Sequence, residues 1–202
     1  MLTLPFALAP LRRLFLGLAL PMLGVSCSSP SGSEDAVNSA TAQNEQKIDA
    51  ADTTEKQEAD AEFLVRATSS SLLEVELGKL LQARATVPAA RAYGAAIVQQ
   101  RLELLTALRA LAATKKLAVP PALGGDEQAA YHEASAQPGA QLEKRAVALL
   151  VKAQGQDEDA FDDMKDDAYD GDIRGFAAKY HPAVEELLDR AKDVADAVDK
   201  QP

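Results

Sequence analysis

The chain has 202 residues, with 21 Lys+Arg against 31 Asp+Glu, one Cys, two His and no Trp. A net charge of −10 argues against a nucleic-acid binder, which needs a basic face for phosphate, and a single Cys can build neither an intrachain disulfide nor a zinc knuckle. Forty Ala and only nine Phe+Tyr point to helices packed closely through small side chains rather than to an aromatic-rich β core.

Residues 1–26 have the parts of a secretory signal: the basic pair Arg12-Arg13, an apolar run from Leu14 to Val25, and small residues before a cleavage point. The run is too short to span a bilayer as a helix, which needs about 20 apolar residues. Leu23-Gly24-Val25-Ser26-Cys27 resembles a bacterial lipobox, although Leu stands four residues before the Cys rather than three. The resemblance implies lipid attachment at Cys27, and the only Cys of the chain lies where acylation needs it. The alternative is an ordinary cleaved signal with an incidental Cys. Arg12-Arg13-Leu14-Phe15-Leu16 also resembles the twin-arginine export motif, so the export route stays open. Ser28 and Ser29 follow the Cys, with no Asp to retain a lipoprotein in an inner membrane. The expected location is the periplasmic side of the envelope, anchored in the outer membrane.

From Cys27 to residue 58 the chain is mostly Ser, Asp, Glu, Gln, Thr, Ala and Asn. Such a segment buries too little apolar surface to offset its ordering entropy, and the expectation is a flexible tether. Loss of residues 1–26 removes Arg12 and Arg13 and takes the net charge from −10 to −12. Attachment to anionic lipid by charge is therefore excluded, and the membrane partner is reached through the anchor.

Residues 59–199 carry a hydrophobic period near 3.6, the mark of helices. The first runs from about Ala59 to Arg84, with Phe63, Ala67, Ser70, Glu74, Leu77 and Leu81 on one stripe. Pro88 sits in the first turn of the second, where its missing N–H costs nothing, and the stripe Ala90, Tyr93, Ile97, Arg101, Leu104, Leu108 continues toward Lys116. Val119-Pro120-Pro121 and Gly124-Gly125 break the pattern, with a short helix over 126–134. The third long helix spans about Ala140–Tyr169, with Val147, Leu150, Gln154, Asp157 and Phe161 inward. Asp170-Gly171-Asp172 is a turn with an N-cap expected at Asp172, and the fourth helix carries Ile173, Ala177, Tyr180, Val184, Leu187, Ala191, Val194 and Val198. Two short connections and one long one predict an all-α, antiparallel four-helix bundle of ferritin-like connectivity, its crossover holding the short extra helix.

Ala61-Glu62-Phe63-Leu64, Leu73-Glu74-Val75-Glu76-Leu77-Gly78-Lys79-Leu80, Ala92-Tyr93-Gly94, Gly139-Ala140-Gln141-Leu142-Glu143 and the Phe176–Pro182 region resemble a bacterial exported family. It is the ferritin-like domain of unknown function numbered four-one-four-two, often described as an outer-membrane or periplasmic protein. The resemblance covers about residues 59–198 and implies imidazole groups at three positions. Here those positions hold Gln100-Arg101, Ala153-Gln154 and Leu187 or a neighbour. The paired Glu-x-x-His motifs that hold two metal ions in ferritin-like proteins do not occur, and the two His are His132 and His181, expected as surface or partly buried side chains.

Glu74 with Glu76 could bind a hard cation weakly, but the expectation is that Glu76 points outward and Glu74 is a paired core group. The acidic run from Asp157 to Asp172 echoes a calcium loop only faintly at Asp166, Asp170 and Gly171, and Ala177 stands where the bidentate acid belongs. A solvated acidic helix face is expected instead. No nucleophile-and-base pair and no phosphate loop is present. Two functions from different classes remain. One is a lipid-anchored, non-catalytic binding or structural bundle of the envelope, without cofactor or metal. The other is a metal-binding or redox ferritin-like protein using carboxylate ligands. Glu74, Arg101, Gln154 and Asp157 fall midway along three stripes, which predicts a buried polar layer with Arg101 in the place of metal.

Overall fold

The structure is a computed structural model and describes residues 34–49 and 55–200. Cys27, the signal and the residues around them lie outside the described part. The described residues are all helical: α1 Glu34–Asp49, α2 Glu55–Arg84, α3 Pro88–Lys115, α4 Gly125–Ser135, α5 Gly139–Asp167 and α6 Gly171–Asp199.

α2 and α3 run in opposite directions, since Leu81 lies against Gly94, Gly78 against Ile97 and Glu74 against Arg101. Close approach near the first of these contacts depends on glycine. A Cβ on Gly94 would stand 2.6 Å from the Gly78 carbonyl oxygen, inside van der Waals contact, so only bare backbones allow the two helices this spacing. α5 and α6 are antiparallel by the same criterion. Phe161 meets Phe176, Glu158 meets His181, and Lys144 reaches Asp199. α2 packs on α5 and α3 on α6, while α4 lies on α2 and α5.

Two of the described turns are held by a carboxylate from elsewhere in the chain. Val87 is the N-cap of α3 and offers no side-chain acceptor. Glu143 of α5 supplies one, accepting from Thr86 N at 2.5 Å, Thr86 Oγ1 at 2.6 Å and Val87 N at 3.1 Å. Burial raises the Glu143 carboxyl, but these donors outweigh it and hold the group below its ordinary range. Asp60 does the same for the α5–α6 turn, accepting from Tyr169 N at 3.0 Å and Asp170 N at 2.7 Å. α3 ends in a Schellman motif, with Leu117 N bonded to Ala112 O at 2.8 Å and Lys116 in the left-handed region at φ 57°.

Three expectations need correction. The N-cap of α6 is Asp170, not Asp172; its carboxylate accepts from Asp172 N and Ile173 N. The α2 helix begins at Glu55, four residues before Ala59. The tether is the largest error, because residues 34–49 form α1, which packs on α2. Ala40 and Ile48 are buried, and Asn44, only 4% exposed, exchanges two hydrogen bonds with the Ala118 backbone, at 3.0 and 2.7 Å. Few apolar residues suffice here because α1 docks on a surface that the other helices already form.

The interior falls into two apolar clusters. One gathers Leu77, Leu81, Tyr93, Ile97, Val147, Leu150, Leu187 and Ala191. The other gathers Phe63, Leu64, Leu104, Leu108, Phe161, Ile173 and Val184. Along α3 and α5 the boundary between them falls at residues 101 and 154–157, and on α2 it falls between Ala67 and Leu73, one residue before Glu74.

Candidate functional site

The boundary is polar. Glu74, Arg101 and Gln154 are fully buried and Asp157 is 5% exposed. The structure brings all four together. Arg101 Nε donates to Glu74 Oε2 at 2.7 Å, and Arg101 Nη1 lies 3.1 Å from Asp157 Oδ2. Gln154 Nε2 donates to the same Glu74 Oε2 at 3.1 Å. The Gln154 carbonyl accepts from the Tyr93 hydroxyl at 2.9 Å, and that hydroxyl also lies 3.2 Å from the Leu187 carbonyl. Ser70 Oγ lies 3.4 Å from Glu74 Oε1.

One guanidinium faces two carboxylates, and burial decides the protons. Desolvation pushes Glu74 up to about 8, overcoming the pull of Arg101, with Asp157 adding to the rise. Burial also raises Asp157 against the attraction of Arg101. Desolvation opposes the Arg101 charge, but both carboxylates outweigh it and the guanidinium stays charged. At neutral pH a value of about 8 keeps a proton on Glu74. Its Oε2 is occupied by two N–H donors, so the proton belongs on Oε1. The layer is then a neutral set of Arg101 cation, Asp157 anion and Glu74 acid. A neutral set suits a buried layer, since an uncompensated charge there is costly.

This arrangement does not fit a pair of metal ions. It contains no imidazole, and a fixed cation holds both carboxylates. Glu76 does not join it; it faces outward and pairs with Lys79 at 2.7 Å. Beside the layer is a cleft of about 360 Å³ between α1, α2, α4 and α5. Its wall is apolar at Phe63, Ala67, Leu73 and Met164, and polar at Ser70 and Asp157. Asp157 Oδ2 and Ser69 Oγ are buried without a well-aligned hydrogen bond.

The remaining polar candidates separate. His132 is exposed on α4, and His181 is half-buried on α6, facing Glu158 and Asp162 of α5. The acidic run is divided by the helix, with Asp157 inside and Asp159, Asp163, Asp166 and Asp167 exposed. Sequence reasoning missed the hydroxyl of Tyr93 as a member of the layer, and it missed Glu143 and Asp60 as long-range caps. The only prior signal was a carboxylate on a buried stripe without an adjacent partner.

The fold and its central layer define an all-helical bundle protein with a buried ionic layer at its centre. The chain belongs to the family described as domain of unknown function DUF4142, which matches residues 43–194. That match begins inside α1, in keeping with α1 being part of the folded unit. No curated protein and no solved structure matches the chain.

Proposed function

We propose that the protein is a lipid-anchored helical bundle of the cell envelope with a non-catalytic binding or structural role. In this reading Cys27 carries the lipid and holds the domain on the periplasmic side of the outer membrane. The fold is ferritin-like. The antiparallel pairs α2–α3 and α5–α6, stacked α2 on α5 and α3 on α6, make a four-helix bundle, and the segment holding α4 is its crossover. No described helix is long and apolar enough to cross a membrane.

The observation that carries the reading is Arg101. Its guanidinium occupies the level of the bundle where a ferritin-like protein collects metal, and it draws on both carboxylates that could serve as ligands. The layer then serves to hold four helices in register. Binding falls to the surface and to the cleft lined by Phe63, Ser70 and Met164. Two measurements test the two halves. Labelled fatty acid enters the wild type and not Cys27→Ser; label in the variant refutes the anchor. Protein made in iron- and manganese-supplemented medium retains neither ion in its centre. An ion held at one per chain and lost in Glu74→Gln refutes the non-metal centre and restores the redox alternative.

A further inference from the structure

We propose that Glu158, Asp162 and His181 form a zinc-class divalent cation site on the seam between α5 and α6. The site shares no residue with the central layer and stands whether or not the reading above holds.

Glu158 and Asp162 are four residues apart on α5 and so project from one face. The antiparallel α6 sets His181 opposite them. Its Nε2 lies 3.2 Å from Glu158 Oε1 and 3.4 Å from Asp162 Oδ1, and the three ligand atoms all lie within 4.8 Å of one another. Two ligand atoms held about 2.05 Å from a tetrahedral ion are about 3.3 Å apart. Both nitrogen-to-oxygen separations already have that value. A single N–H cannot point at two carboxylates at once, whereas a lone pair directed at an ion between them satisfies all three groups. The two carboxylate oxygens lie within 4.8 Å of each other, and the Asp162 side chain, 52% exposed, has room to turn toward the ion.

Charge favours the same occupant. The last turns of α5 carry Asp162, Asp163, Asp166 and Asp167 at the negative end of the helix dipole, where anions are unfavourable. Lys165 is the basic residue of that last turn. It contacts both Asp162 and Asp166, with Asp166 at 3.2 Å, so it can remain on Asp166 when Asp162 turns to the ion. A divalent ion offsets the two carboxylates, with imidazole as the neutral third ligand. One nitrogen and two oxygens suit zinc better than calcium or magnesium, which prefer all-oxygen sites. The half-open seam leaves the fourth position to water.

The test is calorimetric titration of the detergent-purified full chain with zinc chloride, and separately with calcium chloride. One zinc ion per chain is expected, bound at least tenfold more tightly than calcium. His181→Ala and Glu158→Gln should each weaken zinc binding at least tenfold, and Glu74→Gln should leave it unchanged. Zinc should also raise the melting temperature of the wild type and not of His181→Ala. This second readout also shows that the variant folds. No zinc binding, equal binding of calcium, or binding indifferent to both substitutions overturns the proposal. Loss of binding in Glu74→Gln alone moves the ion to the bundle centre and overturns the non-metal reading as well.

Discussion

Replacing Arg101 with Met removes the central cation while keeping most of its stem volume. The cost can be bounded from the protons. At pH 7 Glu74, pushed up to about 8, already holds a proton, so the substitution strands one charge, that of Asp157. A stranded carboxylate can escape by protonating. From its ordinary value of 3.8 this costs about 4.4 kcal/mol at pH 7 and about 1.6 kcal/mol at pH 5. These figures are ceilings on the electrostatic loss, and the first agrees with the 3–5 kcal/mol typical of breaking a buried ion pair. Urea denaturation followed by circular dichroism should therefore show Arg101→Met less stable by about 3–4 kcal/mol at pH 7 and by at most about 2 kcal/mol at pH 5. Adding Asp157→Leu should restore most of the loss, because no charge is then left unpaired. A deficit below about 1 kcal/mol at pH 7 would match a solvated surface pair and refute the buried layer. A deficit equal at both pH values would show that packing, not charge, is at stake.

Glu74→Gln copies the protonated acid. The wild-type group has a raised value in the fold, so its contribution is whole below about 4.5 and is lost as pH rises through about 8. Against the wild type, the variant should gain about 1.4 kcal/mol of stability per pH unit across that window, and a flat difference between pH 5 and 8 would place Glu74 in a wet site. Gly94→Ala drives a methyl toward the Gly78 carbonyl and should destabilise by about 1–3 kcal/mol; an unchanged melting temperature would mean that α2 and α3 can separate freely. Asn44→Ala leaves the Ala118 backbone groups without partners and should cost about 1–3 kcal/mol. It should also expose residues 34–49 to limited proteolysis, whereas equal cleavage in the wild type would detach α1 from the fold.

The long helices were legible because their information is local. A period near 3.6, Pro88 at a helix start and the Gly and Pro breaks at 119–125 act within a few residues, and α2, α3, α5 and α6 follow them closely. Polar residues on apolar stripes likewise single out residues 74, 101, 154 and 157 without any knowledge of contacts. What the tertiary structure alone decided is partnership. Local composition described residues 34–49 as too polar to fold, and in isolation they bury too little. The grooves that receive Ala40 and Ile48, and the Ala118 backbone that meets Asn44, exist only once the other helices have packed. Glu143 and Asp60 cap turns 56 and 109 residues away in sequence, beyond any local pattern. His181 meets Glu158 and Asp162 because α6 folds back along α5. The proton on Glu74 is the furthest from the sequence. Its place depends on desolvation and on two neighbours from other helices, and those forces act only after burial removes water.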